Sequence, residues 1–261
     1  MPKAASLAFL ACMVVALGSG AAAAPKRGMP DGRVSALGGY ALPSEIVASS
    51  IAWGRIAGDK GWSNAVRAMA VPDAQILIGS AFERAQALAK SHAAPAALPH
   101  RRTHHVWMSC DGSIGVEEGL FEDGAAHGWY VTVWQHQVKK GEYRWVLDQR
   151  GLDSAAAPDF DFIEGKVADC VPHARGEAPK PVEPGSDGAI EVKPMPPGTP
   201  PPITVKGEAS GLADYLSGIS RDQTLRWATR LDPDGTRHVT VNMLVDGKRT
   251  DVLSRSAPAE R

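Results

Sequence analysis

The sequence predicts an α+β chain: helices first, then an antiparallel aromatic sheet, then a Pro-rich linker and a small C-terminal β-meander. Three observations carry this. Residues 44–57 combine helix-start signals with apolar residues on successive turns. Residues 104–149 are aromatic and β-branched runs broken by turn dipeptides, the pattern of an antiparallel meander. Prolines recur from Pro172 to Pro202, and strand-like alternation resumes beyond them.

The chain begins Met1-Pro2-Lys3, followed by an apolar run from Ala4 to Leu17, then Gly18-Ser19-Gly20 and four alanines. A basic start, an apolar stretch and a small-residue cleavage site read as a secretory signal peptide over residues 1–23, cut after Ala23. A retained membrane anchor is the alternative, but the run is short for a bilayer span. A lipid anchor on Cys12 fits less well, because apolar residues continue past it. The expected location is therefore periplasmic or secreted, with no membrane association after cleavage.

Residues 24–43 are rich in Gly and Pro and read as a flexible segment. Ser44 is the expected N-cap of a first helix, with Glu45 in its first turn and Ile46, Val47, Ile51 and Trp53 along it. Gly58-Asp59-Lys60-Gly61 ends it, and Ser63 or Asn64 starts a second helix with Val66 and Met69 inward. Pro72 stops that helix, Ala74–Ile78 is a strand candidate, Phe82–Lys90 is Ala-rich and reads as helical, and 91–99 reads as a loop. After the meander, 155–161 is a turn region and 163–170 a short helix or strand. The domain limits that follow are 44–171 for the α+β domain, 172–203 for the linker and 204–255 for the C-terminal meander. That last piece reads as three strands, Gln223–Arg230, Arg237–Val245 and Thr250–Leu253, joined at Asp232-Pro233-Asp234-Gly235 and Asp246-Gly247. A sheet that small is marginal alone, so it is expected to pack on the first domain or on a partner.

Net charge is −1, and the only dense basic cluster is His100-Arg101-Arg102. Nucleic acid is therefore not an expected partner, since phosphate binding needs a broad cationic surface. Export leaves Cys110 and Cys170 as an even pair in an oxidising compartment, expected as a disulfide, with two buried free thiols as the alternative.

Two helices, the stretch Ile51-Ala52-Trp53 through Trp62, the segment His105-Val106-Trp107-Met108-Ser109-Cys110-Asp111-Gly112-Ser113 and the late Trp145-Val146-Leu147-Asp148-Gln149 together resemble the nuclear transport factor 2-like superfamily. Within it the chain looks like exported SnoaL-like proteins of unknown function, over roughly residues 44–170. The resemblance implies a strongly curved antiparallel sheet wrapped against the N-terminal helices, a cone-shaped fold with an internal pocket. The superfamily holds isomerases, cyclases and dehydratases beside non-enzymatic binding modules, so fold does not select function. The chain departs from the pattern at 85–99, an Ala-rich stretch broken by proline where such folds carry residues of the pocket mouth.

An enzyme of this kind needs a carboxylate or imidazole base in an apolar pocket and an acidic donor for the developing oxyanion. Asp148 and His136, with His105 behind them, are the candidate bases; Tyr130 and Tyr143 are the candidate donors. The large side chains that could line a pocket are Trp107, Tyr130, Trp134, Tyr143 and Trp145, each also suited to a core. Strand alternation puts Tyr130, Thr132, Trp134 and His136 on one face and Trp129, Val131, Val133 and Gln135 on the other, without saying which face is concave.

His100, His104 and His105 lie close together, but His104 and His105 alternate in direction and Arg101-Arg102 repel a cation, so no metal is expected. No G-x-S-x-G elbow and no phosphate-cradling loop occurs, and no cofactor is expected. The leading expectation is an exported, non-catalytic domain that binds a small apolar ligand or a protein partner, homodimerisation included. The alternatives are an isomerase, cyclase or dehydratase using an Asp or His base, and a structural or assembly module.

Overall fold

The computed structural model describes residues 41–91, 98–153, 162–170, 201–207 and 213–258. The expected signal peptide, most of the linker and the 155–161 turn lie outside the described residues. Three helices, α1 (Pro43–Lys60), α2 (Trp62–Met69) and the single turn α3 (Ala85–Leu88), accompany two sheets. The first sheet contains β1 (Ala70–Ile78), β2 (Ala81–Arg84), β3 (His100–Met108), β4 (Ile114–Asp123), β5 (Ala126–Gln137), β6 (Glu142–Leu152) and β7 (Glu164–Val167), in the order β2-β1-β6-β5-β4-β3-β7. The second contains β8 (Ile203–Gly207), β9 (Ala213–Ile219), β10 (Leu225–Leu231), β11 (Arg237–Val245) and β12 (Lys248–Ala257), in the order β12-β11-β10-β9-β8.

Helix α1 starts one residue before the expected cap. Pro43 occupies its first turn, where the missing N–H is no loss, and Leu42 is an N-cap without a side-chain bond. It ends at Gly61, whose φ of 85° suits glycine. Its buried residues Ile46, Trp53 and Ala57 fall on one stripe. That stripe lies so close to the sheet that a Cβ on Gly115 would sit 2.6 Å from Ile46 Cδ1. Trp53 meets Trp145 edge to face, with ring centroids 5.4 Å apart.

Three expectations are corrected here. The first sheet is curved but mixed rather than antiparallel throughout: β1 runs parallel to β6, and β7 parallel to β3. The C-terminal sheet has five strands, not three, because β8 and β9 add to the expected meander. The Ala-rich 82–90 stretch begins as strand β2, paired antiparallel with β1, and keeps only one helical turn. Edge pairing with β1 takes Phe82, Glu83 and Arg84, and the alanines Ala85 and Ala87 fall in the helical turn with Ala89 as its C-cap. Of the two readings of 163–170, short helix or strand, the strand holds, as β7 over Glu164–Val167.

The disulfide Cys110–Cys170 is present, with Cα atoms 5.1 Å apart. It ties the β3–β4 turn to the chain just after β7, which continues the β3 ladder by Ala168 N–H donating to Met108 O. The second sheet covers the face of the first that α1 does not. Gln149 meets Thr229, Glu118 meets Arg255, and the buried Arg237 donates to the carbonyls of Arg150 and Gly79. The small meander thus packs on the first domain.

Candidate functional site

The parity left open by the sequence is decided by α1. Glu117 accepts from Ser50 of α1 at 2.7 Å, and from Tyr130 and Trp134 of β5 at 2.8 and 3.1 Å. Tyr130, Thr132 and Trp134 therefore face the helix, and Val131, Val133 and Gln135 face the second sheet, where Gln135 donates to Pro201 O at 2.8 Å. Asp148 pairs in register with Thr132 and shares its face.

Two adjoining clefts open on this side. The larger, about 490 Å³, is walled by Ile51, Trp53, Ala57, Leu98 and Pro99 and floored by Arg101, Thr103 and Tyr130. On α1, Gly54 and Gly58 face open space, so the absent side chains widen it. The smaller, about 140 Å³, lies between β1 and β6 and includes Ile76, Leu77, Asp148 and Gln149. Arg101 lines both.

Beneath the clefts runs a continuous polar network. Arg101 donates to both oxygens of Asp148, at 3.0 and 2.8 Å, and its guanidinium carbon lies 4.6 Å from the centre of the Tyr130 ring. Thr132 Oγ1 donates to Asp148 Oδ1 at 2.8 Å. Thr103 Oγ1 donates to Glu117 Oε1 at 2.6 Å, so this buried carboxylate holds four donors. A Cβ on Gly119 would lie 2.8 Å from the Tyr130 ring; glycine there makes room for it.

Burial, reinforced by the Glu117 charge, raises the Tyr130 pKa far out of reach of neutral pH, and the phenol is a fixed hydrogen-bond donor. Burial alone would lower the Arg101 pKa, but the charge of Asp148 and the bonds to it outweigh this and raise it. The Nε of Arg101 is buried with no hydrogen-bond partner among the described residues, an unsatisfied donor in the side chain that both clefts share.

Of the residues singled out in the sequence, Tyr130 and Asp148 are brought together through Arg101. Trp134, Tyr143 and Trp145 share the helix side but are buried and line neither cleft; Tyr143 donates instead to Gly112 O at 2.7 Å. His136 packs on Tyr143 with ring centroids 5.1 Å apart and also lines neither cleft. Its pKa is lowered by burial and by the nearby Arg221. Trp107 lies on the opposite face, stacked on His105, which pairs with Glu118 at 2.9 Å. A β-bulge between Thr103 and His105 breaks the simple alternation there. Sequence reasoning missed Arg101, Glu117 and Thr103. The signal for Arg101 was present: an Arg alternating with Thr103 on a strand that ends in aromatics is poorly explained by solvent.

No family model and no curated protein matches the chain. Among solved structures, Rv3472 of Mycobacterium tuberculosis, a protein of unknown function, is similar at 16% sequence identity and a TM-score of 0.32, over 43% of this chain and 80% of that one. Likeness so shallow leaves the site to be read from its own side chains.

Proposed function

We propose that this is an exported, non-catalytic binding protein of the cone-shaped, SnoaL-like kind, and that its α1-side cleft takes a small, mainly apolar molecule carrying one hydrogen-bond acceptor. One observation carries the reading: both carboxylates below the cleft are committed to fixed donors. Asp148 is held bidentately by Arg101 and again by Thr132, and Glu117 lies under four donors. A general base needs a lone pair aimed at the substrate proton, and here the carboxylates serve as scaffold. What remains for a ligand is the apolar wall of Ile51, Trp53, Ala57, Leu98 and Pro99, with the Arg101 side chain at its floor. Export is supported by the disulfide, which persists in oxidising compartments.

Binding of 8-anilinonaphthalene-1-sulfonate, followed by its fluorescence and by quenching of tryptophan, tests the cleft. Gly58→Leu, which fills open space on α1, should weaken binding at least tenfold with the fold unchanged. Unchanged binding removes the cleft as the site. Turnover of a ketosteroid or a polyketide-like substrate that disappears in Asp148→Asn would instead establish the isomerase or cyclase alternative.

A further inference from the structure

The two sheets contain the same strand-and-turn unit, and they meet through it reciprocally. The turn between β3 and β4 and the turn between β9 and β10 have matching bonds. Ser109 N–H donates to Ile114 O at 3.0 Å, and Ser220 N–H to Leu225 O at 2.9 Å. The N–H groups of Ile114 and Leu225 return to the serine oxygens at 3.1 and 3.0 Å. Each serine hydroxyl donates to the aspartate two residues on, Asp111 or Asp222, at 2.8 and 2.6 Å. Each aspartate accepts the N–H of Ser113 or Thr224, at 2.9 and 3.1 Å. The residue after each aspartate has positive φ, 66° at Gly112 and 61° at Gln223.

The ladders then run in parallel accord. In the first sheet Glu118, Val131 and Gln149 face one another across β4, β5 and β6. In the second, Thr229, Val239 and Arg255 do so across β10, β11 and β12. A register shift follows each row at the same place, between Val133 and Trp134 and between Val241 and Asn242.

The contacts between the sheets exchange these partners. Cys110 N–H donates to Thr224 Oγ1 at 2.9 Å, and its counterpart Arg221 N–H donates to Ser113 Oγ at 3.1 Å. Thr229 meets Gln149 at 2.5 Å, and the counterpart pair, Glu118 and Arg255, meets at 2.5 Å. Gly151 and Ala257, which end corresponding rows, face each other: a Cβ on Gly151 would lie 2.5 Å from that of Ala257. Other contacts are not mirrored: Asp111 N–H donates to Asp222 Oδ2 at 2.7 Å while Asp111 Oδ2 faces Arg221 Nε at 3.4 Å, Arg237 donates to the carbonyls of Arg150 and Gly79 where its counterpart is Trp129, and Gln135 donates to Pro201 O. Contacts in which residue i meets j and the counterpart of j meets that of i define an isologous interface, the kind that joins two copies of one protein.

The faces differ as this predicts. On the docking side Val131, Val133 and Leu147 correspond to Val239, Val241 and Leu253, and all six are buried. On the far side Glu117, Tyr130, Thr132, Trp134 and Asp148 correspond to Ala228, His238, Thr240, Asn242 and Ser254, none of them fully buried. We propose that the C-terminal sheet is an internal second copy of the β3–β6 meander that keeps the docking face and lacks the ligand site. The chain is then a self-contained pseudo-dimer with one cleft, and the partner that the docking face fits is a copy of its own meander.

Exchanging the chemistry of the two reciprocal pairs tests this in the full chain. Gln149→Arg alone places an unpaired charge in the interface and should lower the Tm by roughly 10 °C. Gln149→Arg with Thr229→Glu reproduces the geometry of the Arg255–Glu118 pair and should recover at least half of the loss. The reversed pair, Gln149→Glu with Thr229→Arg, has no counterpart in the interface and should not recover. No recovery in the matched pair, or equal recovery in both, overturns the proposal. Light scattering should give the mass of one chain; a wild-type mass of two chains that falls to one in Gln149→Arg also overturns it, because the face would then pair between chains.

Discussion

Replacing Arg101 with Met removes the guanidinium and keeps most of its stem volume. The pair it breaks is well shielded: side-chain exposure is 14% for Arg101 and 5% for Asp148. Asp148 loses two charged hydrogen bonds and keeps, among the described residues, the one from Thr132. A buried carboxylate deprived of its cation costs about 3–5 kcal/mol, a large part of the roughly 5–15 kcal/mol that holds a domain folded. Urea unfolding of the disulfide-intact protein at pH 7, followed by tryptophan fluorescence, measures it. The companion variant Arg101→Met with Asp148→Leu removes both charges, so it should recover more than about 2 kcal/mol of the single-variant loss. A loss below about 1 kcal/mol in Arg101→Met, the level of an exposed ion pair, refutes the reading of this pair as the buried scaffold of the cleft.

Tyr130→Phe takes one of four donors from Glu117 and should cost about 1–3 kcal/mol in the same assay, with binding at the cleft altered. Replacing Cys110 and Cys170 together with Ser opens a link across a sequence separation of 60 and should lower stability by about 4 kcal/mol on the chain-entropy estimate. His104 and His136 both have pKa values lowered in the folded state, chiefly by burial, so the unfolded chain binds protons first. Their contribution is complete above the unfolded value of about 6.5 and is lost as pH falls toward the folded values. The Tm should therefore drop on acidification below about pH 6.5, and His104→Asn with His136→Asn should flatten that part of the profile.

The aromatic meander from His104 to Gln149 was legible because strand alternation and turn dipeptides are local signals. So were the first two helices and the Cys110–Cys170 pair, the latter from the even cysteine count that the expected signal cleavage would leave. The parallel pairing of β1 and β7 was not, although 74–78 and 163–170 were strand candidates, because parallel pairing joins distant segments and leaves no turn in the sequence to announce it. The repeat of Ser-x-Asp-x-[Ser/Thr] at Ser109 and Ser220 stood in plain view, but two five-residue matches acquire meaning only when their turns are seen to dock.

By itself the sequence determined the first two helices, the aromatic meander, the last three strands and the two alternating faces of each strand, since these follow from backbone periodicity and side-chain size. Tertiary structure alone decided which face meets α1 and which meets the second sheet. It thereby paired Asp148 with Arg101, and gathered Ser50, Thr103, Tyr130 and Trp134 around Glu117. The physical reason is that a strand presents both faces equally until another element covers one, and a carboxylate's role is set by the donors that reach it from distant parts of the chain.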